Sequence, residues 1–139
     1  MLTISCCKLK VVNLFNIKMR FMKTLVIGAS TNPERYSFLA VNKLLGHGHE
    51  VVAIGLKNEI LSGIEIQKGF PDFKNIDTVT LYLNPQRQKE YYDYIVNLKP
   101  RRVIFNPGTE NPELFKILEQ NKITYEAACT LVLLGTNQY

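Results

Sequence analysis

A short turn early in the patterned part of the chain has the residue types of a phosphate-binding loop. Gly28 follows the apolar run Thr24–Ile27 and allows a tight turn, while Ala29 and Ser30 are small enough for backbone amides to approach a phosphate. The helix predicted beyond the turn would present unpaired N–H groups and the positive end of its dipole. Arg35 adds a charged fork that suits phosphate oxygens. The turn therefore predicts an anion site, although any strand–turn–helix unit also needs such a glycine.

The same turn lacks the glycine fingerprint of an NAD site. In the G-x-G-x-x-G register, Ser30 and Pro33 occupy the positions of the second and third glycines. Lys57 follows the second apolar run, Val51–Ile54, where an NAD site needs a carboxylate for the ribose hydroxyls. A lysine there favours a nucleotide with a phosphorylated ribose, and coenzyme A and NADP both qualify. Taken alone, Lys57 is better explained as a solvated surface lysine.

Few side chains are candidates for catalysis. His47 and His49 lie in the turn before the second strand, at the amino edge of the predicted sheet, and we expect both to face solvent. Cys129 follows the last predicted strand, where a helix dipole could favour its thiolate and a mixed disulfide with a ligand thiol. A small buried hydrophobe is the alternative interpretation of Cys129. Since no base is evidently paired with a nucleophile, the sequence favours a binding module over an enzyme.

Short apolar strands alternate with amphipathic helices from residue 23 onward, which is typical of an α/β domain. The predicted strands are Thr24–Ile27, Val51–Ile54, Ile64–Ile66, Thr78–Leu83, Arg102–Phe105 and Ile123–Ala127. We predict a doubly wound, mostly parallel Rossmann-type sheet in three layers with strand order 3-2-1-4-5-6. No helix is evident between the second and third strands. The loops expected at the carboxyl edge are residues 28–36, 55–60, 84–85, 106–110 and 128–130.

Helical periodicity and capping residues predict where the helices begin and which faces they bury. Phe38, Val41 and Leu45 share one face of the first helix. Asn84-Pro85 and Asn111-Pro112 each predict a helix start, with asparagine as the cap and proline at the first helical position. The helix after Asn84 is expected to bury a larger set of residues: Tyr91, Tyr94, Ile95 and Leu98.

Four segments, in order, resemble the small CoA-binding domain family, which is related to the nucleotide-binding domain of the succinyl-CoA synthetase alpha subunit. They are residues 26–37, residues 57–63, residues 106–111 and Cys129, and the resemblance extends over residues 23 to 135. The chain departs from the family pattern before Lys57, where the family usually has proline. It also departs at residues 127–130, where the family usually has Asp-Arg-Cys-Pro.

The resemblance implies a stand-alone domain that binds coenzyme A or an acyl-CoA. It implies that the turn Gly28, Ala29 and Ser30, together with Arg35 and Ser37, holds the diphosphate. Lys57 then serves the phosphorylated ribose, and the remaining pocket residues follow the fourth strand: Leu83, Asn84 and Pro85. An NADP-binding oxidoreductase and a regulatory subunit that senses a phosphorylated nucleotide are the alternative hypotheses.

Composition and charge exclude several other classes. The 139 residues are 46% hydrophobic and 21% charged, which is typical of one globular domain with a sizeable core. The net charge is +5, but residues 1–22 hold four of the 17 bases and no acid, which leaves 13 bases against 12 acids. This distribution lacks the continuous cationic face that nucleic-acid binding needs. No apolar run is long enough to span a membrane, and the cysteines (Cys6, Cys7 and Cys129) match no disulfide or zinc pattern. We expect a cytoplasmic protein.

Residues 1–21 show neither helical nor strand periodicity, and Met22 directly precedes the first strand. We predict that residues 22–139 form the ligand-binding domain and that residues 1–21 are a basic extension, with Met22 as the authentic start. A genuine basic arm is the alternative.

Overall fold

Residues 23–139 are described by a computed structural model, and their centre is a seven-stranded sheet. The strands are β1 (Lys23–Ala29), β2 (Glu50–Gly55), β3 (Glu59–Leu61), β4 (Ile64–Gln67), β5 (Ile76–Leu81), β6 (Arg102–Phe105) and β7 (Thr124–Ala127). The helices are α1 (Tyr36–Gly46), α2 (Pro85–Gln88), α3 (Tyr92–Leu98), α4 (Pro112–Gln120) and α5 (Thr130–Gly135), with a 3-10 turn at Lys89–Tyr91. The predicted extension, residues 1–21, lies outside the described residues.

The sheet has the order β3-β4-β2-β1-β5-β6-β7, and β3 runs antiparallel to β4 while the other neighbours are parallel. The predicted third strand, Ile64–Ile66, corresponds to β4. When β3 is left out and the six predicted strands are numbered along the chain, the observed order is 3-2-1-4-5-6. The predicted fold class and topology are therefore confirmed. The chain leaves β1 first toward β2 and later returns to β5 on its other side. Such a reversal opens a crevice at the carboxyl ends of the strands, beside β1.

β3 is the strand that the sequence analysis missed, because residues 55–60 were predicted as one loop. Ser62 and Gly63 connect β3 to β4 with φ angles of 51° and 82°. Two central residues with positive φ are the signature of a tight hairpin turn. Because the hairpin reverses the chain direction, β4 lies between β2 and β3 in the sheet and runs parallel to β2. The two parallel strands are therefore connected without the crossover helix that such a pair usually needs.

Apolar clusters lie on both faces of the sheet and confirm the three layers. One cluster packs α3 and α4 against the sheet, and the other packs α1 and α5 against the opposite face. Leu25 and Ile27 of β1 belong to the first cluster, whereas Val26 between them belongs to the second. All three are fully buried, which is why β1 is a continuous apolar run rather than an alternating one.

The buried face of α1 differs from the predicted one. Val41 is buried as expected, but Phe38 and Leu45 lie at the flanks and are only partly buried. Ala40 and Leu44 take the centre of the packed face.

Both predicted asparagine caps are confirmed. Asn84 Oδ1 accepts a hydrogen bond from the Arg87 N–H at 3.0 Å, and Asn111 Oδ1 accepts bonds from the first turn of α4. The helix predicted after Asn84 is divided into α2, the 3-10 turn and α3. Tyr91 and Ile95 are buried in this segment as predicted, and the other two members of the predicted set, Tyr94 and Leu98, are partly buried.

Within residues 23–139, no helix is long and apolar enough to cross a membrane.

Candidate ligand-binding site at the carboxyl edge of the sheet

The turn after β1 requires glycine for two reasons. Gly28 has a φ of +97°, a conformation that side chains rarely adopt. In addition, a Cβ at this position would lie 3.0 Å from the Tyr82 carbonyl carbon and 3.1 Å from Leu83 Cδ2. Gly28 therefore allows the β1 turn to lie directly against the chain that leaves β5. The predicted turn and the predicted pocket residue Leu83 are neighbours.

The loop between β1 and α1 is ordered by its own hydrogen bonds. Ser30 Oγ accepts a bond from the Asn32 N–H at 3.0 Å, and Asn32 Oδ1 accepts one from the Glu34 N–H at 3.0 Å. The Arg35 N–H closes the loop on the Asn32 carbonyl oxygen at 3.0 Å. This short-range network stabilises the conformation of the loop.

The first turn of α1 is open to an anion. Arg35 is the N-cap, with extended backbone angles, and its side chain makes no capping hydrogen bond among the described residues. The first turn of this helix also carries no acidic residue. Ser37 lies buried within that turn, whereas Arg35 is exposed. Helix N–H groups without a capping acceptor, beside an exposed guanidinium, suit a phosphate.

A second loop lies against the first at the same edge. A Cβ on Gly55, the last residue of β2, would be only 2.5 Å from the Ala29 carbonyl oxygen. Beyond this contact, Thr31 Oγ1 donates a hydrogen bond to Glu59 Oε1 at 3.2 Å. The connection that carries Lys57, residues 56–58, therefore runs beside the β1 turn.

Lys57 is exposed in this connection, which crosses above the end of β4. Its neighbour Asn58 accepts a hydrogen bond from the Lys68 N–H through Oδ1 at 3.0 Å, which anchors the loop. The structure thus brings the loops of Arg35 and Lys57 together.

The residues after β5 complete the edge. Leu83 is buried with 8% exposure and faces Gly28. Asn84 is exposed, but its side-chain oxygen is used by the cap of α2, and Pro85 is half-buried at the first position of that helix. Leu83 can therefore form an apolar wall of the site, whereas the Asn84 side chain caps α2.

Comparison with known families supplies the deciding observation. Residues 22–135 match the family described as CoA binding domain. The chain belongs to the CoA-binding domain family. The match confirms the resemblance seen in the sequence and spans all of the predicted site residues. Among curated proteins, none matches the chain significantly.

Solved structures resemble this CoA-binding domain over most of its length. The crystal structure of an uncharacterized protein is 47% identical, with a TM-score of 0.82, and the match covers 85% of this chain and 98% of that one. A hypothetical protein from Pyrococcus horikoshii OT3 is 24% identical, with a TM-score of 0.77 over 91% of this chain and 89% of that one. A protein from Thermus thermophilus is 20% identical, with a TM-score of 0.75 over 89% and 97%. The last two show a shared fold.

A buried polar network beneath the edge was missed by the sequence analysis. Asn106 is 2% exposed, and its Nδ2 donates to Thr80 Oγ1 at 2.6 Å and to the Leu81 carbonyl oxygen at 2.9 Å. Its Oδ1 accepts from the Thr130 N–H at 2.9 Å. Asn106 thereby ties the ends of β5 and β6 to the start of α5. The only signal in the sequence is its position in the Asn-Pro-Gly segment after β6.

Gln88 has a similar function on the other side of the edge. It is fully buried, and its Nε2 donates to the Leu83 carbonyl oxygen at 2.8 Å and to the Thr109 carbonyl oxygen at 2.7 Å. Its Oε1 accepts from Asn111 Nδ2 at 2.9 Å. The backbone at Leu83 is therefore held by a side chain from α2, which no periodicity argument identifies.

Cys129 lies at this edge as predicted, half-buried at the N-cap of α5. Near it, the Tyr82 hydroxyl is buried beside Thr80 and Thr130 and reaches hydrogen-bond geometry with no described residue. Burial raises the pKa of Tyr82 to about 12, so the phenol stays neutral. Among the described residues, no group of three or more His, Cys, Asp or Glu side chains could hold a metal ion.

The two histidines lie at the opposite, amino edge. His47 is exposed as predicted, but the prediction for His49 was wrong. His49 is half-buried, with its ring centroid 4.8 Å from that of Tyr139. The aromatic contact arises because the last residue folds back onto the sheet, where the Tyr139 ring also lies 4.5 Å from the Arg102 guanidinium carbon.

Away from the predicted site residues, a cleft of about 340 Å³ opens between the loop from Phe70 to Asn75 and α3. Its walls include Tyr94, Asn97 and Leu98, and none of the predicted site residues.

Proposed function

We propose that this CoA-binding domain binds coenzyme A or an acyl-CoA through its diphosphate and its phosphorylated ribose, as a stand-alone binding or regulatory module. Family membership supports coenzyme A as the ligand. The assignment of individual residues to parts of the ligand is our proposal.

The close packing of the two loops is the observation that carries this proposal. Because Gly55 approaches the Ala29 carbonyl oxygen, the exposed Lys57 and the exposed Arg35 lie on adjoining segments of one edge. A nucleotide with phosphates at both ends of its ribose needs two such cationic positions side by side. A lysine on one loop and an uncapped helix with an arginine on the other supply them.

The local geometry supports each contact that we propose. The backbone of Gly28, Ala29 and Ser30 approaches the diphosphate, and the N–H groups around Ser37 and the Arg35 guanidinium neutralise its charge. Lys57 pairs with the ribose phosphate. The residues that follow β5, namely Leu83, Asn84 and Pro85, form the wall against which the organic part of the ligand packs.

A binding role fits the distribution of reactive groups better than a catalytic one. Both histidines lie at the edge opposite the proposed site, so neither can serve a ligand at the carboxyl ends of the strands. The thiol of Cys129 also lies at the ligand edge, and our proposal assigns it no base.

NADP is the second candidate ligand, because Lys57 would suit its ribose phosphate equally well. Melting temperatures measured with saturating coenzyme A, NADP and NAD separate the two candidates. A ligand that binds the folded chain raises its stability by mass action, by about 2.7 kcal/mol at a hundred times its Kd. We expect coenzyme A to raise the melting temperature and NAD to leave it unchanged. Stabilisation by NADP that equals or exceeds that by coenzyme A would favour the dinucleotide.

A further inference from the structure

An exposed aromatic ring stands on the loop after β4. Phe70 is 54% exposed, although its ring lies 5.1 Å from that of Tyr91 and 5.5 Å from that of Tyr94, centroid to centroid. Tyr94 in turn donates a hydrogen bond from its hydroxyl to the Pro71 carbonyl oxygen at 2.6 Å. The two tyrosines therefore support Phe70 from one side and leave much of its surface free.

The backbone around Phe70 connects it to the proposed ligand edge in two directions. Lys68, two residues earlier, donates its N–H to Asn58 in the connection that carries Lys57. Tyr91, which contacts the Phe70 ring, belongs to the 3-10 turn that follows α2. Since α2 begins at Pro85, this turn is connected to the residues that follow β5. Phe70 thus links the Lys57 loop on one side of the crevice to the segment after β5 on the other.

Cations and carboxylates both lie near this aromatic cluster: Asp72 pairs with Lys74 at 2.9 Å, and Glu90 lies beside Tyr91. Lys57 and Lys68 are exposed on the two loops joined by Asn58, and the exposed Arg87 of α2 lies near Tyr91. An exposed aromatic ring beside two exposed lysines suits a flat nucleobase whose ribose carries phosphate, since every base has a face that stacks and the phosphate needs a counter-charge. Phe70 also borders the cleft between its loop and α3.

We infer that Phe70 is the stacking platform for the nucleobase of the bound nucleotide. This inference rests on the proposed function and deepens it, because it assigns the base to an aromatic residue that lies outside the predicted site. The base lies on the free face of Phe70, and the phosphorylated ribose lies toward Lys57 and Lys68.

Affinity measurements with ligand fragments test this placement. By calorimetry, Phe70→Leu should weaken binding of coenzyme A and of adenosine 3′,5′-bisphosphate by about 5- to 150-fold, the range for loss of one aromatic stacking partner. Binding of 4′-phosphopantetheine, which has no base, should not change. Val132→Ala is the matched control, because Val132 is similarly exposed on α5, away from this loop.

A fluorescent reporter gives a second readout. The chain contains no tryptophan, so Phe70→Trp introduces a single indole at the platform. Adenosine 3′,5′-bisphosphate should quench its emission, whereas 4′-phosphopantetheine should not. Val132→Trp serves as the control and should respond to neither probe.

The outcomes separate this inference from the proposed function. If the unchanged protein binds no coenzyme A, the proposed function is overturned and this inference with it. If coenzyme A binds but Phe70→Leu keeps full affinity and the Phe70→Trp emission is not quenched, the base lies elsewhere and only this inference fails. Equal losses of affinity for coenzyme A and 4′-phosphopantetheine would also overturn it, because the change would then act through the loop and not through the base.

Discussion

Gly55 and Ala29 approach so closely that a Cβ on Gly55 would be 2.5 Å from the Ala29 carbonyl oxygen and 2.7 Å from Ile66 Cγ2. This contact joins β1 to β2 at the point where both strands end. It also fixes the relative position of the two loops to which we assign the ligand phosphates.

Gly55→Ala should therefore destabilise the fold. The added methyl group meets the backbone of β1 on one side, and the backbone cannot move without disturbing the central strand pair. Overpacking of this kind costs about 1–3 kcal/mol in the free energy of unfolding, which urea denaturation measures.

Gly46→Ala is the matched control, because a Cβ on Gly46 meets nothing within 4 Å at the end of α1. This control should leave stability unchanged or raise it by about 0.5–1 kcal/mol. Equal stabilities of the two alanine variants would show that the edge between β1 and β2 is looser than the structure indicates.

Arg35→Ala should weaken binding of coenzyme A without changing the melting temperature of the ligand-free protein, since the side chain is exposed and makes no capping bond among the described residues. A charge-assisted bond to phosphate contributes about 1.5–3 kcal/mol, and calorimetry measures the loss. Lys116→Ala, an exposed cation on α4, is the control for net charge. If both variants bind equally well, the guanidinium does not contact the ligand.

Asn106 should be more important for stability than its polar character suggests. Asn106→Ala removes the partner of the Leu81 carbonyl oxygen and of the Thr130 N–H, at about 1–3 kcal/mol for each group that stays unsatisfied. The Thr80 hydroxyl loses one bond but keeps the one to the Thr130 hydroxyl at 2.8 Å. Asn106→Asp keeps the acceptor for Thr130 but loses both donated bonds, so we also expect destabilisation. Exposed Asn97 on α3 provides the control: Asn97→Ala should leave the urea midpoint nearly unchanged.

His49 should make stability depend on pH. Burial lowers the pKa of His49, the charges of His47 and Arg102 lower it further, and Asp77 opposes them. The unfolded chain therefore binds the proton more readily than the folded chain. The free energy of unfolding is highest above the ordinary histidine pKa of about 6.5 and falls as the pH drops below it.

Replacement of each histidine by glutamine tests this assignment in denaturation series between about pH 5 and pH 8. His49→Gln should flatten the profile in this range, whereas His47→Gln should make it only somewhat shallower, because burial, the largest cause of the lowered pKa of His49, remains. A profile that stays steep in His49→Gln would assign the pH dependence to another group.

The sequence predicts most of the fold because the strongest signals are local. Apolar runs mark the buried parallel strands, and the Asn-Pro pairs mark the starts of α2 and α4. β3 was missed because it is a three-residue edge strand whose pairing depends on the hairpin at Ser62 and Gly63. The burial of His49 was missed because its partner, Tyr139, is ninety residues away in the chain and nothing in the local pattern connects them.

In the candidate site, too, local signals could be recognised in the sequence, whereas long-range contacts could not. The β1 turn and Lys57 could be identified from residue type and position at the ends of strands. Asn106 and Gln88 could not, because buried amides act through partners on distant segments, and an isolated polar residue in the sequence does not reveal them. The sequence did not identify Phe70 either. Its exposure, which makes it a candidate platform, is visible only in the folded structure.

Lys57 provides the sharpest test of the ligand, because coenzyme A and dephospho-coenzyme A share the diphosphate and differ in the ribose phosphate. If the exposed ammonium pairs with that phosphate, Lys57→Ala should weaken coenzyme A binding and hardly affect the dephosphorylated ligand. The expected loss is a few tenths of a kcal/mol for a solvated pair and about 1–3 kcal/mol for a partly desolvated one. Raising the salt concentration should shrink the preference of the unchanged protein for coenzyme A, because exposed charges are screened within about 8 Å at physiological ionic strength.

Lys57→Glu should go further and repel the ribose phosphate, so that the dephosphorylated ligand binds more tightly than coenzyme A. Calorimetry on two proteins and two ligands isolates the pairwise energy, since any general effect of the substitution on the loop cancels between the ligands. The anchor of this loop, the bond from the Lys68 N–H to Asn58 Oδ1, does not involve the Lys57 side chain, so the loop should keep its position in both variants. Equal losses of affinity for the two ligands would place Lys57 near the diphosphate instead. Discrimination between a phosphorylated and an unphosphorylated ribose would then depend on another cation of the same edge, such as Lys68.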